Sequence, residues 1–171
     1  GGYRPVPPRL FVQAPEAFGR RFNIDVRTRS EVTAIDVKQK KVTVTTADGQ
    51  TYEETYDKLL LSPGASPVRP PLPGIDSEGI FTLRNVNDTD RIKQYMEQHR
   101  VKRAVIVGGG FIGLEMAENL HHAGAEVAVV EMANQVMAPI DYSMAAMVHA
   151  HLQQKGVKLY LEQAVSAVSP P

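Results

Sequence analysis

Two features of this sequence could do chemistry. Residues 108–113, Gly-Gly-Gly-Phe-Ile-Gly, have the spacing G-x-G-x-x-G, and Glu131 follows Gly108 by 23 residues. Between a strand and a helix, each glycine of such a loop has its own physical role. Gly108 permits a tight turn, Gly110 lets backbone approach a pyrophosphate, and Gly113 lets the helix pack closely on the strand. Phe111 and Ile112 complete the loop at the helix mouth, where unpaired amides and the positive end of the dipole meet phosphate. An acid at the end of the next strand accepts hydrogen bonds from the adenosine ribose hydroxyls. It also repels a 2′-phosphate, by about 4 kcal/mol for unit charges about 4 Å apart at an effective dielectric of 20. Residues 132–135, Met-Ala-Asn-Gln, offer no arginine to accommodate that phosphate. Together these features predict NAD(H) over NADP(H). The bland alternatives are a glycine-rich turn without ligand and a solvated carboxylate at a strand end. Cysteine is absent, which excludes disulfides, thiolate metal sites and a cysteine nucleophile within these residues.

Those residues need a strand–helix–strand frame, and the surrounding sequence supplies one. Ala104–Val107 reads as a short buried strand, Phe111–Ala123 as a helix stopped by Gly124, and Glu126–Glu131 as a second strand. Asp141 can cap a third helix reaching Lys155 and ended by Gly156, before a strand over Val157–Leu161. Asn87, Asp88 and Thr89 are candidate caps for an earlier helix running to about Gln98. This rhythm implies right-handed parallel crossovers, hence an α/β fold with half of a Rossmann-like parallel sheet. Upstream the period changes to two: Ile24 and Val26, Val32 and Ala34, Val42 and Val44 alternate with polar residues as half-buried strands do. Asp48-Gly49 supplies a hairpin turn, so a small antiparallel β meander is expected, with a partner strand near Thr51–Glu54. Leu59–Leu61 reads as a buried strand that stops at Ser62-Pro63-Gly64. Five prolines between Pro63 and Pro73 mark an extended connector, and the boundary between units is expected near Phe81.

The 171 residues carry 19 basic and 19 acidic side chains, so a net charge of zero argues against nucleic acid as the main partner. The longest uncharged apolar stretch, Ala104–Leu114, is too short for a membrane span. Gly1–Pro5 opens no secretory signal, and a cytoplasmic location is expected. Lysine and arginine are missing from Ala104 through Gln154, an asymmetry suggesting two units with different jobs. Glu115, placed in the first turn of the loop helix, suits the dipole there. Phe111 could be ordinary packing. His121-His122 suit a helix C-terminus, whereas His149 and His151, two apart, face different sides of a helix and are not a metal pair. No metal site is expected. Arg20-Arg21 and Arg27 could form a phosphate patch or a solvated basic edge, and Met132, Met137, Met144 and Met147 read as core filler.

The segment VIVGGGFIGLEMAENLHHAGAEVAVVE resembles the nucleotide-binding part of the FAD-dependent pyridine nucleotide-disulfide oxidoreductases. APEAF (14–18), EVTAID (31–36), YDKLLLSPGASP (56–67) and FTLRNVNDTDRI (81–92) resemble the branch holding coenzyme A-disulfide reductases, NADH oxidases and persulfide reductases. The resemblance covers essentially the whole chain. It implies residues 1–80 as part of an FAD-binding domain and 81–171 as an incomplete NAD(H)-binding domain. It further implies Gly108, Gly110 and Gly113 on the NADH pyrophosphate, Glu131 on the ribose, Phe111 shielding the flavin, and Glu115 beside nicotinamide and flavin. Val32 would make a backbone contact to the FAD adenine, and Ser62-Pro63-Gly64 would form the crossover next to the cofactors. Phe111 stands where many members carry tyrosine, and Phe22 where some carry lysine.

The family's first FAD phosphate loop is absent from these residues, and its redox cysteine would lie just before Gly1. The resemblance therefore implies an internal piece of a homodimeric flavoenzyme that passes electrons from NADH through FAD to a thiol or disulfide acceptor, coenzyme A and persulfide among them. The piece alone is expected to be inactive. Two alternatives stay open: a stand-alone NAD-binding module without catalysis, and a piece of another flavoprotein with two dinucleotide domains.

Overall fold

The computed structural model of the chain describes residues 15–169; the expectations for Gly1–Pro5 and for Ala14 lie outside them. The chain divides into two compact units between Gly64 and Ala65.

In the first unit, α1 (Pro15–Phe22) precedes β1 (Ser30–Asp36), β2 (Lys41–Thr46) and β3 (Thr51–Thr55). The strands form an antiparallel meander in the order β1-β2-β3, with Val44 opposite Val32 on one side and Tyr52 on the other. Each turn follows from side-chain chemistry. Asp36 Oδ1 accepts the amides of Lys38 and Gln39, both at 2.9 Å, and Gly49 takes a φ of 85° in the Asp48-Gly49 turn. Val42 and Val44 of the central strand are buried.

Ile24 and Val26 do not form the expected strand. Alternation alone cannot make one without a ladder partner, and Ile24 instead donates back to the carbonyl of Gly19 in α1. Leu59–Leu61 is likewise no strand; among the described residues no strand runs beside it, and Leu60 is 89% exposed. Arg27 is not available to a phosphate patch, because Asp25, Tyr52 and Glu54 engage its guanidinium. Those partners, Glu54 first, raise its pKa above the ordinary arginine value.

In the second unit, α2 (Val86–His99), β4 (Arg103–Val107), α3 (Phe111–His122), β5 (Glu126–Val130), α4 (Tyr142–Gln154) and β6 (Lys158–Tyr160) alternate. The strands are parallel in the order β4-β5-β6, Ile106 level with Val129 and Val129 with Leu159. The core is Ala117 and Leu120 of α3 against Val127 and Val129 of β5, with Ala125 and Val157 beside them. Ile92 and Met96 bring α2 onto this cluster.

Two glycines end the helices as expected. Gly124 and Gly156 sit at φ 89° and 81°, and the following amides of Ala125 and Val157 reach back to Leu120 O and Leu152 O. The caps depart from expectation. The N-cap of α2 is Asn85, not Asn87, Asp88 or Thr89: its Oδ1 accepts the Asp88 amide while the Asp88 carboxylate accepts the Asn85 amide. Asp141 stands at the N-cap of α4, but only its carbonyl is used, accepting the amides of Met144 and Ala145. Met132, Met144 and Met147 are exposed rather than core. Met144 and Met147, three apart, lie on the face of α4 away from the buried Ala145.

Residues 65–80 belong to the second unit. The Val168 amide donates to the Pro73 carbonyl at 2.8 Å, and a Cβ on Gly74 would lie 1.8 Å from Val168 O. Both sheets and the helices around them make this a mixed α/β fold, one antiparallel sheet and one parallel sheet.

Candidate functional site

The glycine loop leaves β4 at its carboxyl end, where open parallel sheets bind ligands. Gly108 donates to Val130 O at 2.8 Å and takes a φ of 106°, a conformation that disfavours any side chain. Gly113 lies so close beneath it that a Cβ there would stand 2.1 Å from Gly108 O and 3.3 Å from Ile106 Cγ2. Gly110 is different. A Cβ added to it would meet nothing within 4 Å, and its φ of −77° suits any residue. Nothing in the protein's own packing therefore demands glycine at 110.

Gly110 is the N-cap of α3 without a side-chain cap, and Leu114 is the first amide taken up, by Gly110 O at 3.0 Å. The amides of Phe111, Ile112 and Gly113 precede the helical ladder, as helix starts require. Glu131, at the end of β5, closes over the same loop. Its Oε2 accepts Gly109 N–H at 2.7 Å and its Oε1 accepts Ala133 N–H at 2.8 Å. The Ala133 bond, then the Gly109 bond, hold its pKa below the ordinary glutamate value, against the opposing effect of burial. Each carboxylate oxygen keeps a lone pair for a further donor, so the group can accept two hydroxyls while staying fixed.

Gly108, Gly110, Gly113 and Glu131 thus converge at the carboxyl ends of β4 and β5. The side chains of Phe111, Ile112 and Glu115 do not join them; they line an open groove of about 890 Å³ between α2 and α3, with Ile92, Met96 and Met116. Glu115 lies in the second turn of α3, not the first, where the dipole argument loses its force. Val32 is in β1 and Ser62-Pro63-Gly64 is an exposed segment without strand structure, both in the first unit. Among the described residues, no group of three His, Cys, Asp or Glu side chains is arranged to hold a metal ion. No described helix is long and apolar enough to cross a membrane.

Sequence reasoning gave Gly109 and Val136 no role and weighed His149 only as a metal ligand. Gly109 is buried, its carbonyl accepts Met137 N–H at 2.8 Å, and a Cβ on it would stand 2.8 Å from Val136 Cγ1. A third glycine between Gly108 and Gly110 was the visible signal. Nothing in the sequence showed that Val136 fills the space above it.

A parallel sheet, a glycine loop at a helix mouth and an acid at the next strand end define an α/β unit of the doubly wound kind. The chain belongs to a particular family with such units: residues 3–171 match the family described as pyridine nucleotide-disulphide oxidoreductase. It is 38% identical over 160 residues to an NADH oxidase of Methanocaldococcus jannaschii, covering 93% of this chain and 36% of that one. It is 37% identical to a coenzyme A disulfide reductase of Staphylococcus haemolyticus over 155 residues, 90% of this chain and 34% of the relative. The crystal structure of reduced Bacillus anthracis CoADR-RHD superposes with a TM-score of 0.88 at 49% identity, over 96% of this chain and 30% of that chain. The chain spans about a third of the length of these relatives.

Proposed function

We propose that this chain is the NADH-docking segment of a longer FAD-dependent oxidoreductase that passes electrons from NADH through flavin to a thiol or disulfide acceptor. Gly110 carries the reading: the open space over it has no use in the protein's own packing and fits a pyrophosphate approaching backbone. The amides of Phe111, Ile112 and Gly113 would receive the phosphates, and Glu131 would take the adenosine ribose. Bound there, NADH supplies the hydride; the chain's own residues bind and orient it. Relatives named NADH oxidase and coenzyme A disulfide reductase support both the donor and the acceptor class.

The second unit is read as the NAD(H)-binding domain and the meander unit as part of the FAD-binding domain. Val32 and Ser62-Pro63-Gly64 are read as FAD contacts, and Phe111 and Glu115 as residues facing the flavin and nicotinamide. Among the described residues the first unit has no glycine turn at a helix mouth, so these contacts alone do not make a phosphate cradle for FAD, and no step is routed through it. Coenzyme A disulfide or a persulfide would be the acceptor, in a homodimeric protein. Calorimetry on the full-length protein tests the donor site: NADH should bind more tightly than NADPH, and Gly110→Val should abolish both. Unchanged NADH affinity in Gly110→Val would sink the reading.

A further inference from the structure

We propose that His149 is the positioning residue of the nucleotide seat, acting through the loop between β5 and α4; the inference rests on the NADH reading above. The loop reaches Gly109 at three points. Glu131 Oε2 accepts the Gly109 amide at 2.7 Å, Met137 N–H donates to the Gly109 carbonyl at 2.8 Å, and the fully buried Val136 occupies the space where a Cβ on Gly109 would stand. Gly109 sits between the two glycines assigned to the turn and the pyrophosphate. Any shift of residues 131–137 therefore moves the cradle and the acid together.

This loop carries a strain of its own. Met137 holds a φ of 52°, a left-handed conformation unfavourable for a side chain, which persists only where the surroundings impose it. Backbone bonds to Tyr160, Glu162 and Gln163 hold the start of the loop at Glu131 and Ala133, and the side chain that reaches its other end from α4 is His149. Two turns into α4 and half-buried, its Nε2 accepts Val136 N–H at 3.1 Å, and the edge-on ring of Tyr142 lies 6.2 Å away, centroid to centroid. An accepting Nε2 is unprotonated, so the ring is the neutral tautomer with its proton on Nδ1. Helix α4 would form with many residues at 149. An acceptor at this position is what the Val136 amide requires, because a buried amide without a partner is costly and the loop would move to satisfy it.

The test uses the full-length protein and NADH itself. His149→Leu keeps bulk and removes the acceptor, and should raise the NADH Kd about tenfold while speeding hydrogen exchange at the Val136 amide. His149→Gln restores an acceptor oxygen and should return the Kd to within about twofold of wild type. In the unmutated protein, nitrogen-15 NMR of His149 should show Nε2 unprotonated, a readout that does not depend on any variant folding. Wild-type affinity in the leucine variant, no rescue by glutamine, or an Nε2–H tautomer would each overturn the proposal. Failure of the wild-type protein to bind NADH would overturn the nucleotide reading first, and this inference with it.

Discussion

Gly110 and Gly113 look equivalent in the sequence motif and differ completely in the structure. Gly113→Ala forces a Cβ to 2.1 Å from Gly108 O, backbone that cannot yield, and should cost about 1–3 kcal/mol of stability in urea unfolding. Gly110→Ala meets no atom and costs only the exchange of glycine for alanine at an N-cap, within about 1 kcal/mol, while NADH binding falls. Equal destabilisation by the two would contradict the division of labour between them. Glu131 makes a separate prediction. Its pKa is lower in the folded chain than in the unfolded one, so its bonds to Ala133 and Gly109 stabilise fully above the ordinary glutamate value of 4.5 and lose that contribution as pH falls through the lowered folded value. Unfolding curves from pH 7 to pH 3 should therefore show a stability loss at the acid end that is smaller in Glu131→Gln. That the acid and the three spaced glycines meet at one sheet end was legible because their spacing matches a strand–turn–helix–strand path. Gly109, Val136 and His149 were not, because a loop without periodicity brings them together.

Among the elements, what could be read depended on whether a pattern is satisfied locally or by a neighbour. Helix ends at Gly124 and Gly156 were legible because positive φ is a property of one residue. The meander was legible because β2 has a partner on each side and a turn residue at Gly49. Ile24–Val26 and Leu59–Leu61 carry the composition of strands but have no partner strand among the described residues, and composition cannot report that. Helix α1 was missed because eight residues with a mid-helix Gly19 give too short a period to recognise. The start of α2 was placed two to four residues late because several polar residues close together could each cap it. Only the reciprocal bonds of Asn85 and Asp88 decide. Asn85→Ala should cost about 1 kcal/mol, read as a lower midpoint in urea, with Asn85→Ser close to wild type. A neutral Asn85→Ala would mean that tertiary contacts of Ile92 and Met96, not the cap, set where α2 begins.

At the scale of the whole molecule, the parallel sheet of the second unit is finished on one face only. Val127 and Val129 point into the α3 core, whereas Val105 and Val107 on β4 are 65% and 67% exposed. Among the described residues β4 pairs only with β5, so its outer edge carries backbone groups free to join another strand. An uncovered apolar face beside an open edge is the feature that drives edge-to-edge association. The chain of 171 residues on its own should therefore self-associate, with a sedimentation coefficient that rises with concentration. Val105→Lys places a charge in the middle of that face and should shift the same measurement toward monomer. It should leave the Gly108–Gly113 loop intact, since residue 105 points away from the α3 side on which Gly113 packs against Ile106. If association persisted unchanged in Val105→Lys, the exposed face of β4 would not be its cause, and the α2–α3 groove, with its own exposed Phe111 and Ile112, would become the surface to substitute next.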